Sequence, residues 1–236
     1  MCGRYSLQAT ASELADRFGV TVPSSFEPRY NCAPSQELPV VTDGGEFRRM
    51  EWGFTPSWAE ESFDLINARA ETITEKRSFA DAFERRRCLV PATGFYEWTT
   101  ATLDGDAGEQ TDADGEKRPY HVAFDDDRVF TMAGIYERWT PPTRQSGLAE
   151  FGHGGGDEDA TVETFAVVTT EPNELVSQLH HRMAVILPSE AESTWLHADS
   201  DDCRDLLSPH PDESMTAVPV STRVNDPAND DPSVLG

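Results

Sequence analysis

The sequence has little lysine and no long apolar run. Among its 236 residues are two lysines, and Lys plus Arg total 19 against 43 for Asp plus Glu, which gives a formal net charge of −24. No apolar stretch approaches the roughly 18 residues that a membrane-spanning helix requires. The start, MCGRYSLQAT, lacks the apolar segment of a secretory signal. These absences predict a cytoplasmic protein without a membrane partner.

The spacing of the four cysteines argues against two further classes, zinc-binding proteins and disulfide-rich proteins. They show no CxxC spacing and do not group with histidine, which argues against a zinc site and against a disulfide framework. Cys32 and Cys88 lie among apolar residues and are predicted to be core thiols, while Cys203 lies in an acidic segment and has no predicted role. Cys2 differs from these three because its place in the chain gives it special chemistry.

A net charge of −24 would ordinarily argue against a nucleic-acid partner, since Lys and Arg drive the binding of phosphate. The acidity is spread widely and relies on Asp, which suits a high-salt cytoplasm and predicts a halophilic source. At molar ionic strength the Debye length is about 3 Å, so distant carboxylates hardly affect a local basic cleft. The overall charge therefore does not exclude DNA as a partner.

The pattern of apolar and turn-forming residues predicts a single α+β domain over residues 1–224, with an antiparallel, partly barrel-like sheet and a few peripheral helices. Two stretches rich in Gly, Asp and Glu, at about 99–117 and 141–163, are predicted to be acidic insertions between strands. Residues 225–236 are predicted to form an irregular tail.

Short runs rich in β-branched and aromatic residues make up most of the predicted secondary structure. Helices are expected at about 10–18, with Thr10 or Ser12 as the N-cap, at about 72–87, and at 190–196. Strands are expected at 38–42, 48–52, 88–90, 95–98, 120–124, 129–136, 165–169, 183–187 and 217–220.

Cys2 follows the initiator methionine, and cysteine is small enough for methionine aminopeptidase to remove Met1 and expose a free α-amine. The mature terminus is then a 1,2-aminothiol, with an amine of pKa about 7.7–8.0 beside a thiol of pKa about 8.5. Such a pair condenses with an aldehyde to an imine, which the thiol closes to a five-membered thiazolidine. The alternative is a frayed terminus without a role. An alternating segment at Tyr5–Leu7 favours a terminus that is held in place.

Two further segments carry polar side chains that are suited to chemistry. In INARAET, Asn67 can hold a substrate carbonyl or the terminal amine and Arg69 can grip a phosphate, or the pair belongs to a helix-entry turn. In GFYEW, Glu97 faces opposite to Tyr96 and Trp98 if the segment is a strand. If Glu97 faces inward, burial raises its pKa and suits it to proton transfer near neutral pH; if it faces outward, it is an ordinary carboxylate.

A histidine and two loops complete the candidates. His180 precedes an apolar strand with Arg182 on the same side, so it can act as an acid, a base or a hydrogen-bond donor. A lone histidine is usually structural, but His-x-Arg at the start of a buried strand favours a function. The loop WGFTPSW, which begins at Trp52, is either core packing or a platform that stacks unstacked bases. The segment RYNCAP, which ends at Pro34, is equally ambiguous by itself.

Taken together, these segments resemble the SRAP (SOS-response-associated peptidase) family, whose members sense abasic sites in single-stranded DNA. The matches occur in family order across essentially the whole chain, apart from the two acidic insertions. The resemblance implies the SRAP fold and a protein that traps abasic sites as a DNA–protein crosslink. Eight blocks carry it: MCGRYSL, RYNCAPSQ, WGFTPSW, INARAET, CLVPATGFYEW, AGIYERW, TFAVVTTEPNELVSQLHHRMAVIL and VSTRVN.

The resemblance also implies roles for individual residues. Cys2 traps the abasic-site aldehyde as a thiazolidine, Asn67 hydrogen-bonds the trapped group, and Glu97 and His180 manage protons. AP-lyase cleavage is an expected side reaction, because an imine makes the sugar prone to β-elimination. No metal or organic cofactor is implied, and the expected partner of the monomer is single-stranded DNA with an abasic site, at a junction with duplex. The implied DNA contacts are Arg4, Arg69, Arg182, Trp52 and Pro34.

The chain departs from the family in three respects. Ala184 stands where members commonly have proline, and His181 adds a second histidine beside His180, although alignment on His-x-Arg-Met selects His180. The acidic charge contrasts with the basic DNA face expected of a relative. We hypothesise that covalent capture tolerates weak, salt-sensitive encounter binding, and a collapse of the crosslink yield in molar KCl would refute this.

Three alternative functions stay open from the sequence. Class II glutamine amidotransferases also begin Met-Cys-Gly, which suggests an N-terminal-nucleophile amidohydrolase, although their downstream glutamine-pocket motifs are not found. The historical name of the family suggests a Cys–His peptidase. The third alternative is a DNA-binding module without catalysis. Only a crosslinking protein should give a denaturation-resistant species with an abasic oligonucleotide.

Overall fold

The computed structural model describes residues 2–100, 117–141 and 161–236. Within these ranges the strands are β1 (Tyr5–Leu7), β2 (Arg29–Cys32), β3 (Glu37–Thr42), β4 (Phe47–Trp52), β5 (Asn67–Arg69), β6 (Arg87–Ala92), β7 (Gly94–Thr99), β8 (Arg118–Phe124), β9 (Phe130–Trp139), β10 (Val162–Thr170), β11 (Met183–Ala184), β12 (Ile186–Leu187) and β13 (Met215–Pro219). The helices are α1 (Ala11–Phe18), α2 (Ala80–Arg85), α3 (Glu174–Ser177), α4 (Glu192–His197) and α5 (Ser200–Arg204), with 3-10 turns at Ala70–Thr72, Ser189–Ala191, Thr222–Asn225 and Pro232–Val234.

The strands form two sheets, one of which closes into a ring. β10 pairs with β4 and with β9, and β4, β3, β6 and β9 pair in that order, so the ring β10-β4-β3-β6-β9 returns to its start. The second sheet has the order β13-β8-β7-β1-β2 and is antiparallel. The predicted α+β domain with a partly barrel-like sheet is confirmed. β10 is the exception to the antiparallel pattern, since it pairs in parallel with β4 and β5.

Strand alternation divides the apolar residues between two cores. In β6, Cys88 and Val90 belong to the main core, which both sheets share, whereas Leu89 points to a second core on the opposite face. Phe83 of α2 and Trp195 of α4 fill that second core with their ring centroids 5.9 Å apart. The ring of strands is therefore packed on both faces.

The first helix follows the sequence signals closely. The Thr10 side chain accepts a bond from the backbone N–H of Glu13, and the Glu13 carboxylate accepts one from the backbone N–H of Thr10, which is a capping box. Gly19 ends the helix with a φ of 65°, a left-handed conformation that glycine adopts at little cost. The predicted helix at about 10–18 and its Thr10 cap are confirmed.

The predicted long helix at 72–87 is wrong, because the structure has only the six-residue α2 in this region. Ile73, Phe79 and Phe83 all pack into the second core. Ile73 lies six residues before Phe79, which at about 100° per residue would place it on another side of one continuous helix. Breaking the helix between them allows all three side chains to be buried.

The chain after strand β13, which includes the predicted tail at 225–236, has 3-10 turns at Thr222–Asn225 and Pro232–Val234 and packs against the domain. The Asp230 carboxylate accepts hydrogen bonds from the backbone N–H groups of Tyr30 and Asn31 in β2. The side-chain amide of Asn31 donates to the carbonyls of Val224, Asp226 and Asn229. This segment therefore satisfies the outer edge of β2, which would otherwise present unpaired backbone groups.

The predicted acidic insertions at about 99–117 and 141–163 lie almost wholly outside the described residues. Of the described residues at their margins, Thr99 belongs to β7, and Val162 and Glu163 belong to β10. In the part of the chain that the structure describes, no helix has the length and apolar character needed to cross a membrane.

Candidate active site around Cys2

Cys2 lies three residues before β1, an inner strand of the five-stranded sheet. β1 pairs with β2 on one side and β7 on the other, so the N-terminal segment is held between two neighbours. The Cys2 side chain is fully buried, and its backbone carbonyl accepts a 3.0 Å hydrogen bond from the Asn67 side-chain amide. The alternating segment at Tyr5–Leu7 predicted a terminus that is held in place, and this is confirmed.

The surroundings of Cys2 keep its thiol protonated. Burial raises the pKa of the Cys2 thiol well above its usual range, and the nearby negative charge of Glu97 raises it further. The thiol therefore needs a base that can take its proton before or while the sulfur forms a bond. Glu97 lies close enough to influence that proton.

Glu97 faces the interior of the molecule from β7. Phe95, two residues earlier on the same face of the strand, packs in the main core. Tyr96 packs on the opposite face, against the C-terminal segment. Glu97 is only 3% exposed, and burial raises its pKa from 4.5 to about 7. The inward orientation is confirmed, and it produces a carboxyl group that exchanges its proton near neutral pH.

Two buried acceptor atoms near Cys2 have no hydrogen-bond partner among the described residues. They are Oε1 of Glu97 and Oδ1 of Asn67. A buried polar atom that stays unpaired costs about 1–3 kcal/mol, so a folded protein rarely keeps one without a functional reason. Both atoms are acceptors, which suits a ligand that brings hydroxyl or N–H donors.

Asn67 and Arg69 lie in a strand and not in the helix-entry turn that the sequence allowed. They form β5, which runs parallel to β10 with Asn67 opposite Val167 and Arg69 opposite Thr169. Residues of a strand alternate, so Asn67 and Arg69 share one face. Asn67 uses that face to hold Cys2, while Arg69 is exposed to solvent.

His180 follows helix α3 and is held by its backbone and by its ring. Its backbone N–H donates to the Val176 carbonyl at 2.8 Å, and its Nδ1 accepts from the backbone N–H of Arg182 at 3.0 Å. A neutral imidazole with Nδ1 as the acceptor carries its proton on Nε2, which is the nitrogen that can act as an acid. His180 is half-buried, burial lowers its pKa, and the adjacent His181 is exposed.

A lysine that the sequence interpretation missed lies close to both proton-transfer groups. Lys117 directly precedes β8, whose pairing with β7 places Arg118 opposite Thr99, at the same end of the sheet as Glu97. The Lys117 ammonium acts to lower the pKa of Glu97 and that of His180, in each case as a weaker cause than burial. Lys117 therefore lies near both Glu97 and His180.

The predicted phosphate contacts differ in how available they are. One Nη of Arg4 donates to Asn31 Oδ1 at 2.7 Å and to the Val224 carbonyl at 2.6 Å, so this side chain also fastens the C-terminal segment. Arg182 is 9% exposed and binds other protein groups through both Nη atoms. Arg69 is exposed to solvent.

Trp52 does not line the surface, which corrects the expectation that it contacts DNA. Its ring is fully buried against Tyr5 and Phe165, and its Nε1 donates to a backbone carbonyl. The exposed aromatic residues near this loop are Trp58 (44% exposed) and Phe63 (43% exposed), with ring centroids 5.5 Å apart. The strand pattern that ends at Trp52 could have indicated its burial, and the loop position of Trp58 its exposure.

Arg77 adds a cation to this exposed aromatic pair, since its guanidinium carbon lies 4.4 Å from the centroid of the Trp58 ring. Pro34 is half-buried in the turn between β2 and β3, beside Ser35, whose backbone N–H donates to the Trp52 carbonyl. Of the two residues that the sequence predicted for DNA contact here, Pro34 is therefore partly exposed and Trp52 is not.

The other cysteines are free and buried. Cys32 and Cys88 lie in the main core, which confirms their prediction as core thiols. Cys203, which had no predicted role, packs in the second core with its Sγ 3.5 Å from the Thr194 carbonyl oxygen. Among the described residues, no group of three or more His, Cys, Asp or Glu side chains could hold a metal ion.

Comparison with known proteins gives three consistent matches. The model of the family described as SOS response associated peptidase (SRAP) matches residues 1–227. The abasic site processing protein YoqW of Bacillus subtilis (strain 168) is 34% identical, over 100% of this chain and 99% of its own. The abasic site processing protein HMCES of Xenopus tropicalis is 29% identical, over 89% of this chain and 66% of its own.

The fold agrees with a solved structure. A crystal structure of a protein from Bacteroides thetaiotaomicron superimposes with a TM-score of 0.79 at 29% identity, over 99% of this chain and 98% of that chain. All nine residues that the sequence predicted for the site lie within the stretch that the family model matches.

Proposed function

The chain belongs to the SRAP family, and from this we propose that it captures abasic sites in single-stranded DNA as a thiazolidine on Cys2. Two relatives are named for abasic site processing, which supports the substrate class. The observation that carries the chemistry is the position of Cys2: it lies within the fold, with its carbonyl bound by Asn67 and with Glu97 beside its thiol.

The first step opens the sugar. An abasic site is largely a closed hemiacetal, so its ring oxygen must receive a proton before the aldehyde is free. The Nε2–H of His180 is suited to this task, because Nδ1 is already bonded to the backbone N–H of Arg182. General acid–base help of this kind contributes about 10²–10⁴-fold in rate.

The second step forms two bonds at the aldehyde carbon. After removal of Met1, the α-amine of Cys2 adds to the carbonyl and one water leaves, which gives an imine. The thiol sulfur then adds to the imine carbon, and the thiol proton passes by way of Glu97 to the nitrogen. The net change is one C–N bond, one C–S bond and one water, with no oxidation or reduction.

The remaining residues hold the DNA. Oδ1 of Asn67 has no hydrogen-bond partner among the residues that the structure describes, and it is suited to accept from a sugar hydroxyl or from the ring N–H of the product. Arg69, Arg4 and Arg182 are the cations that would bind the flanking phosphates, and Trp58 offers an exposed ring on which a base next to the lesion can stack. A base that stacks there must be unpaired, which favours single-stranded DNA and its junctions with duplex.

A crosslinking assay tests this proposal. The protein is mixed with a single-stranded oligonucleotide that holds one abasic site, and the products are separated on a denaturing gel. We expect a stable, slower band with the wild-type protein and with Cys203→Ala, which removes a buried thiol from the second core. Cys2→Ala should give no durable band, and Cys2→Ser should give only an adduct that needs borohydride reduction to persist.

Other outcomes favour other functions. Durable adducts from Cys2→Ala would refute a role for the thiol. If the wild-type protein forms no adduct but releases ammonia from glutamine or cleaves a peptide, then Cys2 is the nucleophile of a hydrolase. A protein that binds the oligonucleotide without any adduct is a binding module only.

A further inference from the structure

Glu71 and Arg182 form a two-bond ion pair beside the proposed site. Glu71 lies in the 3-10 turn that follows β5. Nη1 of Arg182 donates to one carboxylate oxygen of Glu71 at 2.5 Å and Nη2 donates to the other at 3.0 Å. Such a parallel pair fixes the orientation of a guanidinium as well as its position.

A second contact ties the same guanidinium to strand β10. Nη2 of Arg182 also donates to the backbone carbonyl of Thr169 at 2.6 Å. The side chain of Arg182 is 11% exposed, whereas that of Glu71 is 45% exposed, so the pair reaches from the interior to the surface. Arg182 therefore has little freedom to move while Glu71 holds it.

The main chain of Arg182 in turn holds the imidazole of His180. Nδ1 of His180 lies 3.0 Å from the backbone nitrogen of Arg182 and 3.2 Å from its carbonyl oxygen. The nitrogen can donate to a neutral ring, and the oxygen can accept from a protonated one. One residue thus offers a partner to Nδ1 in both protonation states, and any movement of Arg182 shifts the ring.

The other end of this connection is Cys2. Glu71 is two residues beyond β5, the strand from which Asn67 binds the Cys2 carbonyl. We propose that Glu71 is a positioning residue: its carboxylate holds Arg182 against β10, and through the main chain of Arg182 it fixes the orientation of the His180 ring in the proposed site. This inference deepens the proposed capture of abasic sites and rests on it.

If Glu71 acted only through its charge, its removal should have the opposite effect on the rate of capture from the one that positioning predicts. A carboxylate next to a phosphate-binding arginine repels DNA and competes for the guanidinium, so its removal should speed capture. Positioning predicts that its removal slows capture, although one negative charge has been lost. The sign of the change in rate therefore separates the two roles.

The test compares Glu71→Gln with Glu75→Gln. Glu75 lies four residues further on, is exposed, and its removal changes the net charge by the same amount. Capture rates are measured in single turnover across the pH range in which histidine titrates. We expect Glu71→Gln to be slower by about tenfold or more with an altered pH profile, Glu75→Gln to match the wild type, and Glu71→Asp to recover part of the rate. Equal rates in the two glutamine variants, or faster capture by Glu71→Gln, would overturn the proposal.

A measurement without DNA keeps this inference separate from the proposed function. Nitrogen-15 NMR of the imidazole reports which nitrogen of His180 carries the proton. We expect the wild type and Glu75→Gln to show protonated Nε2 and unprotonated Nδ1, and Glu71→Gln to show a mixture. If all variants fail to form adducts while the tautomer changes as expected, the function is wrong and the positioning holds. An unchanged tautomer in Glu71→Gln refutes the positioning whatever the DNA result.

Discussion

Replacing Glu97 by glutamine should make the folded protein more stable at alkaline pH while it slows capture of the aldehyde. Burial raises the pKa of this carboxyl group from 4.5 to about 7. Because the folded-state pKa is above the unfolded one, the contribution of the group to stability is complete below pH 4.5 and is lost as the pH rises through 7. A shift of this size corresponds to about 3 kcal/mol once both states are ionised.

Glutamine has nearly the same shape as Glu97 but never ionises. The free energy of unfolding of Glu97→Gln should therefore exceed that of the wild type by up to about 3 kcal/mol at alkaline pH, and the gap should close in acid. Urea unfolding of both proteins at several pH values measures this difference. Glu137→Gln is the control, since Glu137 is also buried but binds Arg86, so its replacement should destabilise the fold at neutral pH.

The same variant tests the chemistry. Loss of a general acid–base group should lower the rate of capture by about 10²–10⁴-fold and flatten its dependence on pH near 7. A variant that is less stable than the wild type at alkaline pH would show that Glu97 is not a strained, buried carboxylate. Unchanged capture kinetics would reduce Glu97 to a structural residue.

Two further predictions concern the exposed aromatic surface and a buried histidine. Trp58→Ala should weaken binding of single-stranded DNA with an unreactive abasic analogue by about 1–3 kcal/mol, because a stacking surface is lost. The control Trp52→Phe should lower stability and leave this affinity unchanged. Fluorescence anisotropy measures the affinity of each variant, and equal affinities of Trp58→Ala and the wild type would refute the stacking role. Burial lowers the pKa of His121 from 6.5 to about 4, while its Nε2 lies 2.9 Å from Ser6 Oγ. Wild-type stability should therefore fall by up to about 3 kcal/mol as the pH drops from 6.5 to 4, and the stability of His121→Gln should not show this fall.

Local patterns predicted the parts of the fold whose cause is local. The cap at Thr10 and the end of α1 at Gly19 depend on neighbours within a few residues. Alternation in β7 predicted that Glu97 faces opposite to Tyr96 and Trp98, and the packing of the sheet decides that this side is buried. The strand β5 was missed because three residues carry no periodic signal. It exists only because β10, about 100 residues later in the chain, pairs with it.

In the candidate site, too, features with a local cause could be predicted from the sequence, and contacts between distant segments could not. Cys2 and His180 could be chosen from their chemistry and their place beside apolar strands. The partner of Arg182 could not, since Glu71 is 111 residues away in the chain and the sequence gives no reason to join them. Trp52 was misplaced because its loop contains two tryptophans, and only the packing against Tyr5 and Phe165 decides which one is buried.

The intact mass of the protein after incubation with an abasic oligonucleotide tests the role of Cys2 most directly. If Met1 is removed and the aminothiol closes on the aldehyde, the product has the mass of the protein without methionine plus the oligonucleotide minus one water. That species should be absent from Cys2→Ala. A protein that retains Met1, or an adduct that maps to another residue, would contradict capture by an N-terminal aminothiol.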